Sequence, residues 1–207
     1  MRKLIIALWF TLPVALYAYH MGPGQGRLQM DDAADLIESA GAHARLAEQI
    51  AAADGDAAAT SEWADAEADY AAALALLPAE NVAETRRLRL ERAKAQMFVS
   101  QLPAANATLA NLVQELRDDP NADAELFADA RGTYASSQYY MTWLMRLEGA
   151  AREQWEPRIE SARQTFKQLA VDASDDTKAE AQEDLESAIR LARMDLTELQ
   201  GLPLPSQ

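Results

Sequence analysis

The stretch Thr60–Pro78, TSEWADAEADYAAALALLP, decides the fold. Trp63, Ala66, Tyr70, Ala73 and Leu77 recur at spacings of 3, 4, 3 and 4, which places all five on one face of an α-helix. The small side chains at 66 and 73 alternate with large ones, so a neighbouring helix can approach closely between them. Pro78 then stops the helix, because a proline cannot continue the backbone ladder.

The same stripe recurs downstream. Leu102, Ala105, Leu109, Leu112 and Leu116 repeat it 39 residues later, and Ile159, Ala162, Phe166 and Leu169 repeat it after a further 57. A second helical segment precedes each copy: residues 31–53, 80–99 and 122–147. The spacing therefore predicts three helical hairpins, the third enlarged by an insertion between its helices. A long final helix follows, with Ala181, Leu185, Ala188, Ile189, Ala192, Leu196 and Leu199 on one face. Ser174, Asp175 and Asp176 are available to cap its start, and Gly201 and Pro203 end it.

The small-aromatic-small spacing of Ala66, Tyr70 and Ala73, closed by Pro78, resembles the second helix of a tetratricopeptide repeat. That resemblance implies an all-α solenoid of antiparallel hairpins with a C-terminal solvating helix. It further implies capture of a protein segment in a groove lined by the first helices.

Composition agrees with an all-helical chain. Alanine, leucine and charged residues dominate the 207 positions, while the 8 glycines and 8 prolines act as punctuation. Asp54, Gly55 and Asp56 read as a turn rather than a calcium loop, since the other oxygen ligands of such a loop are missing. Setting aside Arg2 and Lys3 leaves 17 basic against 33 acidic residues and a formal charge of −16. Nucleic acid is excluded as a partner, because phosphate binding needs clustered cations. The carboxylates are either a solvated surface or a groove for a basic peptide. Without cysteine the chain has no disulfide framework and no thiolate chemistry.

Arg2 and Lys3 precede Leu4–Tyr19, LIIALWFTLPVALYAY, an uncharged run of 16 residues. This is a signal peptide or a short membrane anchor, and the lack of a small-x-small cleavage site around Ala18 favours the anchor. The basic pair keeps the N-terminus in the cytoplasm and places the bulk of the chain on the periplasmic side. The domain plan is thus 1–21 anchor or signal, 22–30 flexible linker, 31–200 repeat domain and 201–207 tail.

Arg131–Arg158, RGTYASSQYYMTWLMRLEGAAREQWEPR, holds Tyr134, Tyr139, Tyr140, Trp143 and Trp155, half of the ten aromatics after the apolar segment. Burying five such groups is worth roughly 10 to 15 kcal/mol before entropy. The stretch is therefore core or a surface that another molecule covers. Around the helix, Tyr134, Met141, Leu144 and Met145 cover one side, and Tyr140, Trp143 and Leu147 another. Gln138, Thr142 and Arg146 form the remaining polar strip, with Tyr139 at its edge. A helix apolar over so wide an arc is sandwiched between neighbours. Tyr139, Arg146 and the inserted segment Glu148–Trp155, which ends as the next helix begins at Pro157, stay available for function.

Arg86, Arg87, Arg89, Arg92 and Lys94 form the one dense basic cluster, read either as inter-helix ion pairs or as a site for a carboxylate-rich tail. The candidate partner-binding set is therefore Tyr139, Tyr140, Trp143, Arg146, Trp155, Arg89 and Arg92. The sequon Asn106-Ala107-Thr108 falls inside a helix. His43 has Leu46 and Ala47, not metal ligands, at i+3 and i+4, and reads as an ordinary helix residue. No catalytic, metal or cofactor site emerges from these patterns. The expected function is a non-enzymatic membrane-tethered adaptor, with a small-ligand module built on the aromatics at 139–155 as the alternative.

Overall fold

A computed structural model describes residues 25–174 and 177–200. The described chain is all helix: α1 Gln25–Asp54, α2 Asp56–Leu76, α3 Val82–Phe98, α4 Leu102–Asp118, α5 Ala124–Leu147, α6 Arg152–Asp172, α7 Lys178–Arg193 and α8 Leu196–Gln200. Each of the first seven packs mainly on its neighbour in sequence. The result is repeat-like: hairpins α1–α2, α3–α4 and α5–α6 stack in order, and α7 covers α6. The apolar run 4–19 and the tail 201–207 lie outside the described residues. Among the described residues no helix is long and apolar enough to cross a membrane.

Four of the five residues of the stripe that predicted the fold are buried, while Leu77 falls just past the end of α2 and is only partly buried. Ala59, Trp63, Ala66, Tyr70 and Ala73 all point inward. Ala33, Ala40 and Ala47 of α1 and Ala59, Ala66 and Ala73 of α2 are each almost fully buried at every seventh position. With only methyl groups at the seam, the two helices close tightly along their length. Gly55, at φ 89°, makes the turn between them. That backbone angle is one a side chain rarely tolerates.

The core falls into three clusters, each shared by consecutive helices. Trp63 of α2 stacks on Phe98 of α3, with ring centroids 4.3 Å apart and planes within 7°. Helix α3 then turns Leu90, Ala93 and Met97 toward α4 while Leu88 and Ala95 face the first hairpin. Helix α5 is sandwiched in the same way. Tyr134, Tyr140 and Met141 pack toward α4, and Ala135, Trp143 and Met145 toward α6 and α7.

Four boundaries differ from expectation. Helix α1 begins at Gln25, so residues 25–30 of the expected linker are helical. No insertion separates α5 from α6. Gly149, at φ 76°, ends α5, with its N–H donating to Arg146 O at 3.1 Å and the Ala150 N–H donating to Met145 O at 2.8 Å. This pair of bonds is a Schellman cap. The extra length lies in the helices themselves, 24 residues in α5 and 21 in α6 against 17 each in α3 and α4. Pro157 therefore sits inside α6 rather than at its start.

The last helix is also broken in two. Met194 is extended (φ −58°, ψ 142°), and Asp195 and Glu198 form a reciprocal capping box that starts α8. Leu199 is buried by the restart, whereas Leu196, placed on the apolar face by periodicity, is exposed.

Candidate functional site

Four of the five cations of the basic cluster, Arg86, Arg89, Arg92 and Lys94, are paired with acids inside the fold, while Arg87 is exposed. Arg92 holds Glu67 of α2 at 2.7 Å, and the Gln96 amide donates to the same carboxylate at 3.1 Å. Arg89 reaches both oxygens of Glu115 on α4 at 2.8 Å. Arg86 pairs with Asp119 at 2.6 Å and Lys94 with Asp129 of α5 at 2.9 Å. Arg86 and the Asn121 backbone N–H hold the Asp119 carboxyl below the usual range. These pairs tie α3 to α2, α4 and α5 and engage Arg89 and Arg92 within the fold. Partly exposed pairs of this kind contribute modestly to stability, but they set the register of neighbouring helices.

The polar strip of α5 faces inward, opposite to its reading as a functional edge. Gln138, Thr142 and Arg146 are 6%, 0% and 9% exposed, whereas Leu144 is 42% exposed. Small polar groups behave here like alanine because they satisfy themselves locally. The Thr142 hydroxyl donates to Gln138 O at 2.8 Å, and the Ser137 hydroxyl donates to Tyr134 O while accepting from the Asn106 amide. Arg146 is a structural clamp. Its guanidinium donates to Leu191 O and Met194 O, the carbonyls at the end of α7, and lies 4.7 Å over the Trp155 ring. A buried helix C-terminus needs donors, and a cation suits its negative dipole end. Trp143 and Trp155 are likewise core residues, 5% and 9% exposed. Trp143, Trp155 and Arg146 therefore leave the candidate set.

Tyr139 and Tyr140 remain, each half-buried. Their rings stand nearly perpendicular, 84° apart with centroids at 5.3 Å. They form one wall of a cleft of about 300 Å³ between α5 and α7, lined also by Ser136, Phe166, Glu183, Asp184 and Ser187. No ion pair or side-chain hydrogen bond engages Glu183 or Asp184 within the described residues. Crowding by protein, with Glu180 and Glu183 beside it, raises the Asp184 carboxyl above its ordinary value. Burial pushes both phenols up, reinforced by Asp184, and Tyr140 is pushed further by Asp56 at the start of α2. Arg190 acts on Tyr139 from the rim in the opposite direction.

Phenols shifted upward stay protonated and serve as donors and ring faces, while the carboxylates accept. Glu183 and Asp184 were not legible in the sequence, since among 33 acids no single one stands out.

No family model, curated protein or solved structure matches this chain.

A wider, more open depression of about 700 Å³ lies across α4, α5 and α6, lined by Arg117, Arg131, Lys167 and Val171 among others. Its Arg131 is already engaged, donating to Gln168 at 2.8 Å and lying over Phe127. His43 finds partners that its own helix lacks: Nδ1 is 2.7 Å from Glu62 of α2, and Asp65 lies within 4.8 Å of both. The hydrogen bond to Glu62, helped by the charges of Glu62, Asp65 and Asp69, raises the His43 pKa above 6.5. The folded chain therefore binds this proton more tightly than the unfolded chain does. The stabilisation is fully present below about pH 6.5 and is lost as pH rises through the folded value. Thermal melts are expected to show wild type losing more stability from about pH 6 to about pH 8 than His43→Gln does. Parallel profiles for the two proteins would show that the pair does not couple to folding.

Proposed function

We propose that this chain is a tetratricopeptide-like helical-repeat scaffold, tethered to the bacterial cytoplasmic membrane through residues 4–19, that captures a segment of a partner protein on the periplasmic side. The cleft on α5 and α7 carries the proposal. It keeps two tyrosines half-buried beside two carboxylates that form no salt bridge among the described residues. Such a recess, with a few polar groups beside aromatic walls, is the form that peptide-binding grooves take. The stacked hairpins, with helices shared between successive core segments, and the Ala66, Tyr70, Ala73, Pro78 signature support the repeat assignment. Arg2, Lys3 and the uncharged run after them support the tether and its orientation.

Cross-linking in membranes followed by mass spectrometry tests topology and capture together. The expected result is an intact N-terminus in the membrane fraction and a partner peptide cross-linked near Tyr139, Tyr140 or α7. A mature chain starting after about residue 20 would remove the anchor, and cross-links confined to other faces would remove the cleft.

A second reading draws on the same cleft. Its volume of about 300 Å³ also fits a small ligand. Thermal stabilisation by a small molecule, without any co-purifying protein, would favour that reading.

A further inference from the structure

The cleft between α5 and α7 holds a combination found at no other recess described above: two tyrosine rings at right angles, a buried phenylalanine and two carboxylates that pair with no cation among the described residues. Around α3 the fold pairs acid with base. Glu67, Glu115, Asp119 and Asp129 each hold an arginine or lysine from α3. Arg190 is on the same helix as Glu183 and Asp184, yet it forms a salt bridge with neither.

Aromatic faces attract cations through their quadrupole, and carboxylates in a partly desolvated recess attract them more strongly than in open water. An aliphatic stem ending in a positive charge satisfies both surfaces at once. We propose that this cleft recognises a lysine or arginine side chain of the captured segment, with the cation between Asp184 and Glu183 and the stem against Tyr139 and Tyr140. This deepens the segment-capture reading and rests on it for the source of the side chain. The chain's formal charge of −14 adds long-range attraction for a basic segment, and the cleft supplies the local selectivity.

The test is fluorescence anisotropy of the full chain with a labelled lysine-rich decapeptide and with the same peptide acetylated at every lysine. Asp184→Asn and Tyr140→Leu are each expected to weaken binding about tenfold, and acetylation to abolish it. Glu38→Gln, which changes the net charge by the same amount on exposed α1 surface, is expected to leave affinity within about twofold. Circular dichroism confirms helicity for each variant, and Asp184→Asn breaks no hydrogen bond of the fold. Equal weakening by Asp184→Asn and Glu38→Gln would reduce the effect to general charge attraction and overturn the proposal. So would undiminished binding of the acetylated peptide. A partner cross-linked to the cleft whose binding ignores Asp184→Asn would leave capture standing and defeat the basic side chain. A cleft that binds the lysine peptide while no partner is ever cross-linked would defeat capture and leave the cation site.

Discussion

Replacing Arg146 with alanine is expected to cost about 3 to 5 kcal/mol and to lower the melting midpoint by about 10 °C. Two buried carbonyls at the end of α7, Leu191 O and Met194 O, would lose their donor, and the Trp155 ring its stacked cation. Each charge-assisted hydrogen bond is worth about 1.5 to 3 kcal/mol, and orphaned carbonyls add a desolvation cost. Stability in a stacked array is local, so the loss should fall first on α7 and α8. Hydrogen exchange should therefore show residues 178–200 unprotected in Arg146→Ala while α1–α4 stay protected. Arg146→Lys should recover part of the loss, because one ammonium cannot hold both carbonyls in the geometry of a planar fork. A midpoint shift below about 1 °C for the alanine variant would show that Arg146 does not clamp the C-terminal helices.

Trp143→Ala is expected to cost a comparable 3 to 5 kcal/mol, as a large buried aromatic does when truncated. Its side chain is 5% exposed and packs with Trp155, Ile159 and Phe166 in the last core segment. Trp143→Phe should cost far less, since the indole Nε1 it deletes has no hydrogen-bond partner. Tyr139→Ala should behave differently from Trp143→Ala although the two positions are one turn apart. It is half-buried at the cleft wall, so peptide or partner binding should fall while urea midpoints move little. Equal losses of stability at both positions would place Tyr139 in the core and remove it from the site.

The comparison of these two residues shows where sequence reasoning stops. Helix type, the number of hairpins and the turn at Gly55 follow from local rules: a period near 3.6, proline and glycine punctuation, and the alternation of small and large side chains. They were legible because each is decided within one or two turns of chain. The Gly149 cap and the Asp195–Glu198 capping box are also local, and both were present in the sequence as a glycine after α5 and an Asp-x-x-Glu pattern. Apolar periodicity ran across them and concealed them, which is why an insertion and one long final helix were expected instead.

The inward face of α5 was not legible, and the reason is physical. Periodicity counts a threonine or glutamine as polar, but a threonine that donates to the carbonyl four residues back buries as cheaply as an alanine. Arg146 needed a helix end from 45 residues away to become a core residue. Arg86, Arg89, Arg92 and Lys94 of α3 likewise needed acids from α2, α4 and its C-cap, and α5 to form their ion pairs. By itself the sequence determined an all-α chain of hairpins and the presence of Tyr139 and Tyr140 as candidates. The tertiary structure decided which charges remain free, and so set Asp184 and Glu183 against those tyrosines, because pairing depends on distances between helices that no local pattern encodes.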